Sequence, residues 1–372
     1  MLKRFTVKNF KGFESEFVFD LSNTNSYEFN SDAIVNGIVN NALIYGHNGV
    51  GKSNLGLALF DIIGHLTDKN VSENEYKQHT YLNANNGSDT AWFQYEFLFG
   101  KDIVIYQYEK TNVRTTVFES LFINGKNLAK IDRRKSNKAE INILGAQTLN
   151  PELTNIKLSL LKYIRSNSVL EENDENKILL EFYDFVDRML FFRSLNNNMY
   201  LGLETGSHGI EEDIIKKGNV EKLEQFLNKA EIECKLKVVQ ELDQERIAFA
   251  FEGKDISFYD IASTGTQALV LFFYWRQRLI EEKKVSFLVI DEFDAFYHHE
   301  LSALIVEELK SICVQFVLTS HNTSIITNDL LRPDCYFLMN KQKIQSLAKC
   351  TSKELREAHN IEKMYKAGSF NV

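Results

Sequence analysis

Gly46-His47-Asn48-Gly49-Val50-Gly51-Lys52-Ser53 fits the pattern G-x-x-x-x-G-K-[ST] at every fixed position. Chemistry dictates that spacing. Glycines let successive backbone N–H groups turn inward and cradle phosphates. The Lys52 ammonium then reaches the β- and γ-phosphates, and the Ser53 hydroxyl ligates Mg²⁺. The flanks agree. Asn41–Tyr45 is a compact apolar strand. Lys52–Leu66 reads as a helix with Leu55, Leu59, Ile62, Ile63 and Leu66 on one side. Its positive end therefore faces the bound anion. The bland alternative, a glycine-rich turn with a surface lysine, does not require this context.

Working outward, three further stretches carry chemistry. Phe287–Glu292 is an apolar strand ending in Asp291 and Glu292. Asp291 suits a Mg²⁺ held through water, and Glu292 suits the general base that polarises an attacking water. Ala262–Gln267 precedes an apolar helix over Thr266–Leu279. Ser263 can cap that helix, and Gly265 allows a ligand close approach. Leu318-Thr319-Ser320-His321-Asn322 ends another strand, with His321 at its tip. The alternatives are solvated acids, a simple helix cap and a structural histidine.

The chain has 372 residues, 44% hydrophobic and 25% charged, with a formal charge of −8. That is ordinary globular composition. The negative balance argues against a surface that grips nucleic acid everywhere, though not against a local basic groove. Cys234, Cys313, Cys335 and Cys350 form no C-x-x-C pair and read as reduced core thiols. The opening lacks the apolar run of a signal peptide, and no stretch approaches a membrane span. A cytoplasmic protein is expected.

The element order predicts an α/β fold. Residues 1–150 carry strands at Phe5–Val7, Phe17–Leu21, Asn41–Tyr45, Trp92–Phe99, Ile103–Glu109 and Val117–Ile123. Residues 151–230 turn helical, with Leu153, Ile156, Leu160, Leu161 and Ile164 at helical spacing and a second helix over Ile178–Leu190. Residues 231–372 return to strands and helices: Ile247–Phe251, the Thr266–Leu279 helix, Val285–Ile290, a helix His299–Ser311 and Val314–Thr319. The expectation is a P-loop head split in sequence, with a helical lobe inserted and a helical tail.

These four motifs, in this order, resemble those of the ABC-type ATPases. The resemblance implies that Ser263 and Gly265 contact the γ-phosphate of ATP held by a second protomer in a head-to-tail homodimer or larger assembly. It also implies that His321 is the switch histidine. The resemblance narrows further. Asp291–His299 resembles the D-E-x-x-x-x-L-H-P stretch of ATPases related to overcoming-lysogenisation-defect (OLD) proteins, with Tyr297 for Leu and His299 for Pro; the family's His falls on His298. Phe5–Phe13 resembles the opening of OLD, RecF and SMC-like ATPases. The tail Glu354–Gly368 is similar to the end of abortive-infection ATPases of the AbiL and RloA types and of the PARIS anti-phage system. The family's Q-loop glutamine falls on Gln94, Gln107 or Gln147, with Gln94 favoured.

Three functions follow as expectations. The first is the sensor or scaffold subunit of an anti-phage defence system, since no acidic cluster for a Toprim nuclease is found here. A separate nuclease chain and a phage-encoded trigger are then implied. The second is a RecF- or SMC-like ATPase binding DNA, for which Lys130, Arg133, Arg134, Lys135 and Lys138 are a basic cluster. The third is a toxin with a metal site at Glu171, Glu172, Asp174, Asp184 and Asp187. The tail, around Arg356, His359 and Tyr365, is a candidate for partner docking or protomer packing.

Overall fold

Five parallel strands set up the site. A computed structural model describes residues 1–67, 69, 78–154, 158–193, 199–203, 210–241, 244–282, 285–295 and 298–371. In it, Met189–Arg193, Phe287–Asp291, Gln315–Ser320, Asn41–Tyr45 and Tyr336–Met339 lie side by side in that order. Met199–Gly202 and Ile344–Ser346 add one antiparallel strand at each edge. The inner strands are buried on both faces, so they read as unbroken apolar runs rather than alternations. Parallel strands bring their C-terminal ends to one edge. That edge therefore receives the phosphate loop after Tyr45, the acids after Ile290 and the histidine after Ser320.

A second sheet is antiparallel throughout, in the order Ser136–Ile141, Lys126–Asp132, Thr115–Ile123, Asp102–Asn112, Ala91–Phe99, Leu2–Lys8, Phe17–Asp20. Its strands alternate buried and half-buried residues, as Ala91–Phe99 does, because one face is covered. The helix Lys52–Leu66 lies between the two sheets. Tyr95 of the antiparallel sheet donates its hydroxyl to the Ala58 carbonyl at 2.9 Å. On the opposite side, a Cβ at Gly56 would stand 2.5 Å from the Phe191 ring, so only glycine lets the helix approach the parallel sheet. Twelve of the helix's fifteen residues are buried. The one-sided apolar stripe in its sequence is thus only part of its covered surface.

The inserted segment 151–230 is not helical throughout. Its helices are Leu160–Asn167, Asp174–Asp187, Ile210–Lys216 and Val220–Lys229. Between them, Met189–Arg193 enters the parallel sheet beside Phe287–Asp291. Leu190, expected to end a helix, lies on that strand. A short apolar run such as Met-Leu-Phe-Phe carries no period that separates strand from helix, and the distant partner decides. The helix before it is also tied into the head: Phe182 packs 5.4 Å from both Phe97 and Tyr106. Leu153 lies in no helix and donates its N–H to Asn137 O. Ile156, Phe296 and Tyr297 lie outside the described residues.

A small sheet of Leu236–Glu241, Gln244–Phe251 and Lys254–Ser257 feeds the short helix Phe258–Ile261. Ser263 follows, and then the helix Thr264–Glu282. Of the four free cysteines, Cys335 and Cys350 are buried, Cys234 is half-buried and Cys313 is exposed, so the core reading holds for two. Among the described residues, no helix is long and apolar enough to cross a membrane.

Candidate nucleotide site

Gly51 ends the loop with φ at 106°, a conformation that an L side chain rarely adopts, and the helix begins at Lys52. The Lys52 side chain folds back over the loop. Its Nζ donates to Gly46 O at 2.7 Å and to His47 O at 3.4 Å. It also lies 3.1 Å from each ring nitrogen of His321. His321 Nε2 stands 3.0 Å from Glu292 Oε1. With the Nε2 proton donated to Glu292, Nδ1 accepts from Lys52. Burial lowers the Lys52 ammonium from its ordinary value, and Glu292, Asp291 and Asp294 pull it back up.

The two acids after the strand are held differently. Asp291 is buried, and its Oδ1 accepts the Thr319 hydroxyl at 2.7 Å. Its Oδ2 makes no hydrogen bond among the described residues. Glu292 takes a left-handed φ of 50°, and its N–H donates to Thr319 Oγ1 at 2.8 Å. Left-handed backbone costs a non-glycine residue about 1 kcal/mol or more. It is tolerated here because Thr319 fixes the segment on both sides, and it aims Glu292 across to His321.

Lys52, Glu292 and His321 line an open cleft of about 650 Å³. Asn48, Gly49, Gly51, Lys52 and Ser53 form one wall, and Glu292, Asp294, His321 and Asn322 face them. Gly46 and His47 lie behind the wall and supply carbonyls to Lys52. Val50 packs beside Gly46, and Asp291 is buried and does not line the cleft. The sequence alone marks no role for Asp294 or Thr319. The signal for Asp294 was its place two residues after Glu292, on the same turn. Thr319 precedes His321 by two.

Ser263 and Gly265 do not line this cleft. Ser263 is exposed and caps the helix through the Thr266 N–H at 3.1 Å. None of the three candidate Q-loop glutamines lines it either. Gln107 Nε2 donates to Gln94 Oε1 across two strands, and Gln147 accepts the Gly145 N–H.

The other candidate sites come apart. In the basic cluster, Arg134 pairs with Glu109 and Asp132, and Lys135 lies 3.8 Å from Asp132, so two acids offset part of its charge. Asp184 pairs with Arg188 and Asp187 with Arg165, and the five acids gather no cation site. The one group of such ligands found among the described residues is elsewhere, at Glu231, His298 and Glu300, all exposed. The tail fastens to its own head. Asn328 Nδ2 donates to the carbonyls of Arg356, Glu357 and His359. Thr323 donates to Glu362, and Tyr365 packs edge-on against Tyr45, 5.0 Å away.

The family described as "AAA domain, putative AbiEii toxin, Type IV TA system" matches residues 42–327. The chain belongs to this family. The match runs from the strand before the phosphate loop to just past His321, so this AbiEii-type AAA domain includes every group gathered at the cleft. It is a P-loop ATPase domain. No curated protein matches the chain. Among solved structures, it is similar to an SMC head bound to the C-terminal winged-helix domain of ScpA, at 17% identity over 94% of this chain and 98% of that one, TM-score 0.49. The Thermotoga maritima SMC head domain shares 16% identity over 93% and 98%, TM-score 0.44. An SMC head with an extended coiled coil, bound to a ScpA domain derived from Pyrococcus furiosus, shares 14% over 94% and 97%, TM-score 0.48. Likenesses this remote carry no argument about function.

Proposed function

We propose that this AAA domain binds ATP with Mg²⁺ in the cleft and hydrolyses it. The observation that carries the reading is the meeting of Lys52, His321 and Glu292, at 3.1 and 3.0 Å, at the edge where three adjacent parallel strands end. The Ser53 hydroxyl and Asp291 Oδ2 are hard oxygen donors, which suit Mg²⁺. The bound metal supplies charge neutralisation at the phosphates. Glu292 is the base placed to take a proton from water in the cleft, with His321 orienting its carboxylate and meeting the γ-phosphate. Lys52 exchanges the Gly46 carbonyl for phosphate oxygens. Ser263 and Gly265, absent from their own cleft, are assigned to the cleft of a second protomer in a head-to-tail homodimer.

In the cell we infer a cytoplasmic sensor or scaffold subunit of an anti-phage, abortive-infection system of the OLD-like branch. It would hold a separate Toprim-type nuclease until a phage-encoded trigger arrives. The support is the tail and the opening stretch, together with a family description that speaks of a toxin and a type IV TA system. The DNA-binding alternative rests on a basic cluster whose Arg134 is already paired with two acids.

Glu292→Gln tests the chemistry. It should bind ATP and turn it over at least about a hundredfold more slowly, as loss of a general base does. Unchanged hydrolysis removes Glu292 from that role. Mixing Lys52→Ala with Ser263→Arg protomers tests the shared site: two inactive parents should recover partial turnover, because one of the two clefts then carries neither lesion. No recovery despite confirmed exchange of protomers sinks the head-to-tail pairing.

A further inference from the structure

Three consecutive residues at one strand end each hold a different acid. Thr319 holds Asp291, and His321 meets Glu292. Between them, Ser320 donates its hydroxyl to Asp294 Oδ2 at 2.5 Å and accepts the Asn322 N–H at 2.8 Å. The first and last of these contacts serve groups with a place in ATP hydrolysis. The Asp294–Ser320 pair has none so far.

We propose that Asp294 is a positioning residue for His321, acting through Ser320; this rests on the reading of the cleft as an ATP-hydrolysing site. Ser320 is fully buried, at 0% exposure. A serine hydroxyl has one proton, and its rotor settles where that proton finds an acceptor. Pointing it at Asp294 turns a lone pair toward the Asn322 N–H. The backbone on both sides of His321 is thereby fixed. Asn322 Oδ1 continues the restraint by accepting from the Ser324 N–H at 3.0 Å and the Ser324 hydroxyl at 2.6 Å. The turn carrying Asp294 is itself pinned, because Phe293 N donates to Thr319 O at 3.2 Å. An acid beyond one strand thus sets the direction of an imidazole on the next. Burial raises the Asp294 carboxyl above its ordinary value, and the Ser320 bond works against that rise. Burying this carboxyl costs free energy that the Ser320 hydrogen bond offsets in part.

The test compares Asp294→Ala, Asp294→Asn and Ser320→Ala in the full chain. Asparagine keeps an oxygen that accepts from Ser320 but carries no charge. Asp294→Ala and Ser320→Ala should each lower kcat by about ten- to a hundredfold, the scale of losing a catalytic group's orientation, with KM for ATP little changed. Asp294→Asn should recover much of that loss. Added to His321→Ala, Asp294→Ala should cost nothing further, since both act through one group. The His321 imidazole signals in NMR, assigned from His321→Ala, should move in Asp294→Ala and Ser320→Ala and stay in place in Asp294→Asn, with no nucleotide present. If Asp294→Asn falls as far as Asp294→Ala, the charge itself is what matters and the positioning role is wrong. Unmoved imidazole signals in Asp294→Ala overturn it equally. Should Asp294→Ala fail to fold, Ser320→Ala carries the same comparison. A wild-type chain without ATPase activity would sink the reading of the cleft, and the imidazole signals would still decide this proposal.

Discussion

Two polar networks flank the helix Lys52–Leu66, one at each end, and they are built on opposite principles. At the C-terminal end, Asp61 accepts from Tyr81 at 2.9 Å, Tyr108 at 3.0 Å and Lys110 at 2.9 Å. Its ion pair with Lys110 leaves both side chains 1% exposed. Nearby, buried Glu119 accepts from Tyr106, Ser159 and the backbone N–H groups of Leu160 and Leu161, which caps the helix Leu160–Asn167. Each carboxylate there has its partners and is closed off from solvent. At the N-terminal end, Lys52 leans on two carbonyls and a histidine, Asp291 keeps one oxygen without a hydrogen bond among the described residues, and Glu292 sits in left-handed backbone. The difference teaches how to tell structure from function among buried charges. A network closed on itself fixes a fold, whereas one with spare bonding capacity facing a cleft awaits a ligand.

Removing one lysine from each end should break the comparison in opposite directions, and this is the largest effect expected. Lys52→Ala should abolish ATP binding, read by isothermal titration, with the melting temperature held or slightly raised, because a desolvated ammonium is gone. Lys110→Ala leaves Asp61 charged, buried and short of its counter-ion. Such losses cost about 3–5 kcal/mol, measured by denaturant unfolding. If Lys52→Ala destabilises as much as Lys110→Ala, the division between the two ends is wrong.

A smaller effect lies in the pH dependence of the closed end. His65 stacks 4.0 Å from Tyr108, and burial pushes its imidazole well below the usual range, with Lys110, Arg133 and Lys162 adding to the shift. Its Nε2 makes no hydrogen bond among the described residues. The native state therefore keeps His65 neutral where the unfolded chain protonates it. Below an unfolded value of about 6.5, the unfolded state binds more protons and stability falls with pH, by up to about 1.4 kcal/mol per unit. Burial raises Glu119, which works in the opposite sense above its own ordinary value. Comparing wild type with His65→Phe between pH 5 and 7 isolates the histidine: the variant's stability should decline less on acidification. Parallel curves would remove His65 from the account.

The smallest effect is on the surface. Arg134 bridges Glu109 and Asp132 with nearly half its side chain exposed. Arg134→Ala should change stability by only about 0.2–1 kcal/mol and lose that difference in high salt. A salt-dependent fall in DNA affinity of the same variant would instead sharpen the case for the basic cluster as an interface.

The sequence by itself determined the phosphate loop, the strand before it and the helix after it, with boundaries at Asn41–Tyr45 and Lys52–Leu66 that the structure repeats. Local chemistry suffices there, because glycines, a lysine and an apolar run each act on near neighbours. It also supplied the acidic strand and the histidine, since a run of β-branched and aromatic residues closed by a charge is a local signal. Tertiary structure alone decided the rest. Met189–Arg193 became a strand because Phe287–Asp291 was there to pair with it. Asp61, His65 and Glu119 became a buried network because two sheets close over one helix, and no spacing in the chain announces that Lys110 will meet Asp61. Asp294 found Ser320 only because parallel strands end at the same edge. Hydrogen bonds between residues distant in sequence depend on which strands become neighbours, and that is settled by the packing of the whole chain.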